Sequence, residues 1–262
     1  MDDSPRPAAR SRGIYLLPNL LTTGGMFSGF YAILAAASGH FESACMAVFI
    51  AGMFDGVDGR IARLTGTSSE FGVQYDSLAD LVSFGMAPAL VMYHWALSTL
   101  KLDGIAIGKA GWAASFLYAA CAALRLARFN TQVGVVDKRW FIGLASPAAA
   151  AVMMAFVWTM ADLGYSGEQL RYVALVLTVC TGLLMVSRLR YTSFKGGRAD
   201  PAPASERVPF MLLLGAVLGI VAIYIYQERL LLVIAGLYAI SGPAMWVWHK
   251  LHRKRGSGQG AT

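Results

Sequence analysis

Residues 55–80, DGVDGRIARLTGTSSEFGVQYDSLAD, place four carboxylates, Asp55, Asp58, Asp76 and Asp80, between the apolar stretches AVFIAGMF and LVSFGMAPALVMY. Side chains three or four positions apart share a helix face, so Asp55 pairs with Asp58 and Asp76 with Asp80. The intervening RLTGTSSEFG is short and polar, which predicts an antiparallel helical hairpin. At about 1.5 Å per residue, Asp55 and Asp80 lie roughly 12 Å from the turn, and Asp58 and Asp76 roughly 8 Å. Two facing tiers of carboxylates result. Gly52, Gly56, Gly59 and Gly72 leave the surrounding backbone open to a close neighbour or a ligand. A carboxylate at bilayer depth costs roughly 2.5–3.5 kcal/mol, so four cost on the order of 10 kcal/mol. Arg60 and Arg63 balance two of the charges, interfacial snorkelling or helix capping would lower the cost, and a proton or cation pathway would use the charges directly. Two divalent cations would balance all four and suit oxygen donors at this density. Paired cations polarise phosphate oxygens and offset developing charge, the requirement of phosphoryl-group transfer.

The elements that must hold these groups are apolar helices. The chain has 262 residues, 56% of them hydrophobic and 14% charged, with a mean hydropathy of +0.54. Such a composition is that of an integral membrane protein. Runs long enough to cross a hydrocarbon core recur at 14–38, 41–62, 73–98, 108–129, 141–161, 170–187, 208–226 and 229–249. The expected fold is therefore an all-α membrane protein of eight transmembrane helices. With both termini inside, 18 Lys and Arg residues fall on the inner side and 4 (Lys101, Lys109, Arg171 and Arg229) on the outer, the asymmetry of cytoplasmic loops. The formal net charge of +7 thus faces anionic headgroups rather than nucleic acid. Cys45, Cys121 and Cys180 each fall inside an apolar run without metal-ligand or disulfide spacing. His94 sits near the outer end of its span, His249 and His252 belong to a terminal basic cluster, and no Ser-His-Asp or Cys-His arrangement is legible.

The chain divides into a basic tail at 1–13, a six-helix core at 14–190, a Gly/Pro-rich loop at 191–207, a two-helix addition at 208–249 and a basic tail at 250–262. Residues 1–13 read as a cytoplasmic tail rather than a signal peptide. No internal repeat is evident.

Asp55, Asp58, Gly59, Ala62, Arg63, Gly72, Asp76 and Asp80 form D-x-x-D-G-x-x-A-R, eight residues, then G-x-x-x-D-x-x-x-D. That pattern resembles the signature of the CDP-alcohol phosphotransferases. The segments LPNLLTTGGMFSGFYAI, RLTGTSSEFGVQYDSLADLVSFGMAPA and ALRLARFN are similar to family members from bacteria that use serine as acceptor. The resemblance implies a six-helix core, usually dimeric, in the bacterial inner membrane with its active site on the cytoplasmic side. It implies transfer of the phosphatidyl group from CDP-diacylglycerol to the hydroxyl of L-serine with release of CMP. Carried over by position, Asp55, Asp58, Asp76 and Asp80 are implied ligands of two divalent cations, Mg2+ or Mn2+, and Asp80 is also the implied general base. Gly59, Ala62, Arg63, Gly72, Asn19 and Thr22 are implied nucleotide or phosphate contacts. Serine carries a carboxylate that an arginine fork binds bidentately, which makes Arg125, Arg128 and the adjacent Asn130 candidates for the acceptor site; anchoring the helix to headgroups is their other reading. The same fold with glycerol phosphate, inositol phosphate or choline as acceptor is the alternative within the class, and a proton- or cation-coupled transporter is the alternative outside it.

The charge asymmetry predicts sidedness. A reporter fused after Thr262 should be cytoplasmic, and a cysteine replacing Asp103 should react with an impermeant maleimide from the periplasm. Protection of residue 103 until the cells are opened would overturn the expected topology.

Overall fold

The computed structural model describes residues 16–66, 69–132, 140–192 and 227–256. Helix α1 spans Leu16–Ala37 and α2 spans Phe41–Thr65. Gly66 ends α2 in the left-handed conformation, φ 62°, with its N–H bonded to the Ala62 carbonyl; a residue without Cβ takes that backbone at least cost. Helix α3, Glu70–Asp80, starts at Ser69, whose side chain accepts from the Gly72 N–H. The hairpin turn is thus closed at both ends by local hydrogen bonding, with α1 packed against both arms.

The third apolar run is not one regular helix. After α3 the chain widens into a π-helical segment at Leu81–Met86, returns to α-helix in α4, Ala87–Trp95, and tightens into a 3-10 segment at Leu97–Asp103. Helix α5 covers Ile105–Gln132, α6 Ser146–Asp162 and α7 Arg171–Val186. The final described helix, α8, covers Gln227–Gly256. The expected run at 208–226, the loop residues 193–207 and the tails 1–13 and 257–262 lie outside the described residues.

The architecture is all-α with one small departure. The apolar run expected to begin a helix at 141 instead opens with a strand, β1, Trp140–Ile142, paired antiparallel with β2, Arg190–Thr192. Helix α6 starts only at Ser146 because Pro147 occupies its first turn, where a missing N–H costs nothing.

Four described helical stretches are long and apolar enough to cross a membrane by length and composition: Leu17–Ala37, Glu70–Asp103, Ile105–Thr131 and Glu228–Met245. Helix α2 has the length, at 25 residues, but carries the site's own aspartates and arginines. Helices α6 and α7, at 17 and 16 residues, are shorter. The contact of α1 with α2 is close, since a Cβ at Gly25 would lie 3.6 Å from the Ala51 carbonyl oxygen, and Ala32, Ala36, Ala44 and Ala51 on the two helices are almost fully buried; close backbone approach is how helices associate where lipid removes the hydrophobic drive. Met92, Met153, Met154 and Met185 fill the centre with Leu97, Leu100 and Val157. At the end of the bundle away from the hairpin turn, Arg171 grips Asp103 through Nε and Nη2 at 2.6 and 2.7 Å, and the Tyr172 hydroxyl adds a bond at 3.0 Å. Helix α8 docks on the core where the Thr159 hydroxyl donates to the Glu228 carbonyl at 3.0 Å and the Tyr191 hydroxyl to the Ala239 carbonyl at 3.1 Å.

Candidate active site

The hairpin and α1 enclose a cleft of about 190 Å³ lined by Pro18, Asn19, Thr22, Asp58, Gly59, Ala62, Ser69, Gly72, Val73 and Asp76. Its walls are small because a side chain at Gly72 would sit 3.1 Å from Ser69 Oγ and 3.6 Å from Asn19 Oδ1. Below it lies a much narrower chamber, to which Thr22, Asp58 and Asp76 also contribute, together with Asp55, Asp80, Gly25, Ser83 and Phe84. Asp58 and Asp76 therefore reach the outer cleft as well, whereas Asp55 and Asp80 line the inner chamber.

Asp55, Asp76 and Asp80 each offer a carboxylate oxygen within 4.8 Å of the other two. A set of three hard oxygen donors so close together fits a divalent cation of the Mg2+ class and is poorly matched to soft metals, which take sulfur and imidazole. Asp58 is held differently. It is 4% exposed, and its Oδ2 accepts from the Thr22 hydroxyl at 2.7 Å, with the Pro18 carbonyl oxygen 3.1 Å from the same hydroxyl. One carboxylate oxygen is thereby committed to α1.

Of the residues that the family pattern marks for nucleotide or phosphate, Asn19, Thr22, Gly59, Ala62 and Gly72 all line the outer cleft. The Arg63 side chain is outside the described atoms. The three acceptor candidates are not equivalent. Arg125 points inward: its Nη1 donates to Ser146 Oγ at 2.8 Å, its buried Nε has no hydrogen-bond partner among the described residues, and it lies within electrostatic range of Asp80. Arg128 turns toward α7, with Nη1 3.4 Å from the Val186 carbonyl oxygen. Asn130 reaches α3, donating through Nδ2 to Ser77 Oγ at 3.0 Å, with Gln74 Oε1 3.4 Å away.

Ser69, Ser77, Ser83 and Ser146 are site residues that the sequence reading passed over. Ser69 had a legible signal, since a serine three positions before the capped N–H is an N-cap pattern. Ser77, Ser83 and Ser146 had none, because each is defined by a partner on another helix.

Residues 15–184 match the family model of CDP-alcohol phosphatidyltransferase. The chain is 35% identical over 235 residues to the CDP-diacylglycerol–serine O-phosphatidyltransferase of Helicobacter pylori (strain J99), covering 90% of this chain and 92% of that protein. It is 29% identical over 221 residues to the protein of the same name from Mycobacterium leprae, covering 82% and 71%. It is 34% identical over 188 residues to the archaetidylserine synthase of Methanothermobacter thermautotrophicus, covering 71% and 73%. The matched region contains every aspartate of the chamber and the whole cleft, and the chain belongs to the CDP-alcohol phosphatidyltransferase family.

Proposed function

We propose that this protein is a phosphatidylserine synthase, which transfers the phosphatidyl group of CDP-diacylglycerol to the hydroxyl of L-serine and releases CMP. The observation that carries the reading is the stacking of two cavities: a small-walled cleft sized for a nucleotide group above a chamber of clustered carboxylates. The names of the relatives support serine as acceptor and CDP-diacylglycerol as donor.

CDP-alcohol phosphatidyltransferases generally use a divalent metal, and we assign two ions, Mg2+ or Mn2+, to Asp55, Asp58, Asp76 and Asp80, a reading supported by the oxygens that Asp55, Asp76 and Asp80 bring within 4.8 Å of one another. Bound there, the ions supply charge neutralisation for the diphosphate and for the leaving phosphate. The protein's own residues do the rest. Asn19, Gly59, Ala62 and Gly72 hold the cytidine end in the outer cleft, with Arg63 as a further phosphate contact. Thr22 fixes Asp58 by its hydrogen bond. A serine hydroxyl is a weak nucleophile, so Asp80 takes its proton as the oxygen attacks the lipid-bearing phosphorus. A new P–O bond forms to serine, the bond to the bridging diphosphate oxygen breaks, and that oxygen leaves on CMP.

Arg125 is the better of the two arginines for the serine carboxylate. It approaches the chamber from α5, Ser146 steadies one arm of its guanidinium, and its Nε has no hydrogen-bond partner among the described residues; a buried donor without an acceptor is costly until a ligand supplies one. The remaining expectations belong to the same proposal: a homodimer in the bacterial inner membrane, with both termini and the active site facing the cytoplasm.

Two experiments test this. CMP release by purified protein should need both CDP-diacylglycerol and serine and should stop in excess EDTA. Asp55→Asn and Asp76→Asn should weaken CDP-lipid binding in calorimetric titration, whereas Asp80→Asn should retain most binding and lose turnover by roughly 10²–10⁴, the usual contribution of a general base. Turnover that survives dialysis against EDTA would sink the metal assignment, and release driven equally by glycerol phosphate, inositol phosphate or choline would redirect the acceptor.

The arginine is tested separately. Arg125→Lys keeps the charge but loses the planar fork, so the KM for serine should rise about 10- to 100-fold, the loss of a charge-assisted hydrogen bond, while the KM for CDP-diacylglycerol stays nearly unchanged. Unchanged serine kinetics would return Arg125 to a purely structural role.

A further inference from the structure

The π-helical segment begins directly after Asp80, and its cause lies in the sequence four residues beyond Phe84. In an α-helix the Phe84 carbonyl would accept from the N–H of residue 88, but residue 88 is proline, which has no N–H and whose ring crowds that carbonyl. The chain widens instead, and the Ala87 N–H bonds to the Val82 carbonyl, one position further back than an α-helix would take it. π-bulges of this kind relieve such a conflict at the expense of an unpartnered carbonyl. Here the deficit is met from another helix: the fully buried Tyr118 of α5 donates its hydroxyl to the Phe84 carbonyl at 3.1 Å. On the opposite side, Ser83 Oγ donates to the Gly25 carbonyl at 3.1 Å. Ser83 packs so closely on α1 that a Cβ at Gly29 would lie 2.6 Å from its Oγ. The widened turn is therefore gripped from both flanks.

We propose that Tyr118 is a positioning residue for catalysis: its hydroxyl holds the widened turn open, and the turn sets the rotation at which Asp80 faces Asp55 and Asp76. The proposal rests on the reading of Asp80 as the general base. Widening by one residue rotates everything N-terminal to the turn relative to α4, which is anchored in the core through the buried Val91 and Met92. The carboxylate of Asp80 is one residue from that pivot, so a small change in the turn moves it most directly. Asn130, about three helical turns further along α5, fastens α3 from the N-terminal side of Asp80 through Ser77. Helix α5 thereby holds the aspartate-bearing helix at two points.

Tyr118→Phe removes only the hydroxyl. The variant should purify as folded protein and show a kcat about 10- to 100-fold lower, the scale of a displacement of about 1 Å in a catalytic group. Its KM for CDP-diacylglycerol should stay within about threefold of native, because α1 and α2 supply most of the cleft. In an Asp80→Asn background the same substitution should cost less than about twofold, since no base remains to be placed. An equal fold-loss in both backgrounds, or native kcat in the single variant, overturns the proposal and leaves the function reading intact. Native turnover in Asp80→Asn alone instead overturns the base assignment and, with it, this proposal. Should Tyr118→Phe fail to fold, Pro88→Ala asks the question from the other side, because it restores an N–H that lets the turn close to α-helix. It should fold and lose kcat by about tenfold or more, and native kcat there would overturn the proposal.

Discussion

Carboxylate oxygens gathered within 4.8 Å of one another repel by on the order of 3 kcal/mol per pair when the effective dielectric is about 20. Nothing in the aspartates themselves offsets this, and Asp55, Asp76 and Asp80 cannot drift apart, because α2 and α3 are joined by a short turn and packed against α1. The repulsion is a standing demand for cations at one point, beneath the cleft that the proposed function assigns to the nucleotide. It is the constraint to which the rest of the bundle answers. The hydrogen bonds of Thr22, Ser83 and Asn130 tie together the helices that carry the cluster.

The restraints are distributed by chain position. Gly66 and the Ser69 cap fix the hairpin turn, Thr22 removes one oxygen of Asp58 from the cluster, and α5 braces α3 from the side. Beyond the site, the small-residue contact of α1 with α2 brings Thr22 within bonding distance of Asp58; larger side chains at Ala32, Ala36, Ala44 or Ala51 would hold the two helices apart. The Asp103–Arg171 pair closes the far end of the same bundle. In a bilayer, where apolar burial between helices contributes little, such close packing and polar bonding carry much of the specificity.

The sequence made much of this legible, for physical reasons that also mark where it stopped. Helical periodicity and a short polar turn suffice to bring four aspartates to one region, and small residues at fixed spacing indicate a cleft beside them. Which carboxylates cluster and which one bonds to α1 was not legible, since it depends on the hydroxyl of Thr22 arriving from 36 positions away. Arg125 and Arg128 looked alike as a pair three apart, yet three residues leave about 60° between their directions on a helix, enough to send one toward the chamber and the other toward α7. Apolar content alone extended the fifth run back to residue 141, whereas Pro147 and the pairing of β1 with β2 delay α6 to Ser146. The widened turn after Asp80 follows from Pro88 once the fate of each backbone carbonyl is followed, but the hydroxyl that makes it tenable comes from Tyr118, which no local pattern announces.

The central claim is that this cluster exists to hold two divalent cations side by side. Manganese binding to the purified, metal-free protein, followed by electron paramagnetic resonance, tests it most directly. The account predicts two Mn2+ per chain, with the exchange- and dipole-broadened spectrum of neighbouring ions, and loss of that coupled signal in Asp55→Ala and Asp76→Ala proteins that remain folded. A spectrum of isolated ions only, or binding equal to that of the aspartate variants, would contradict it.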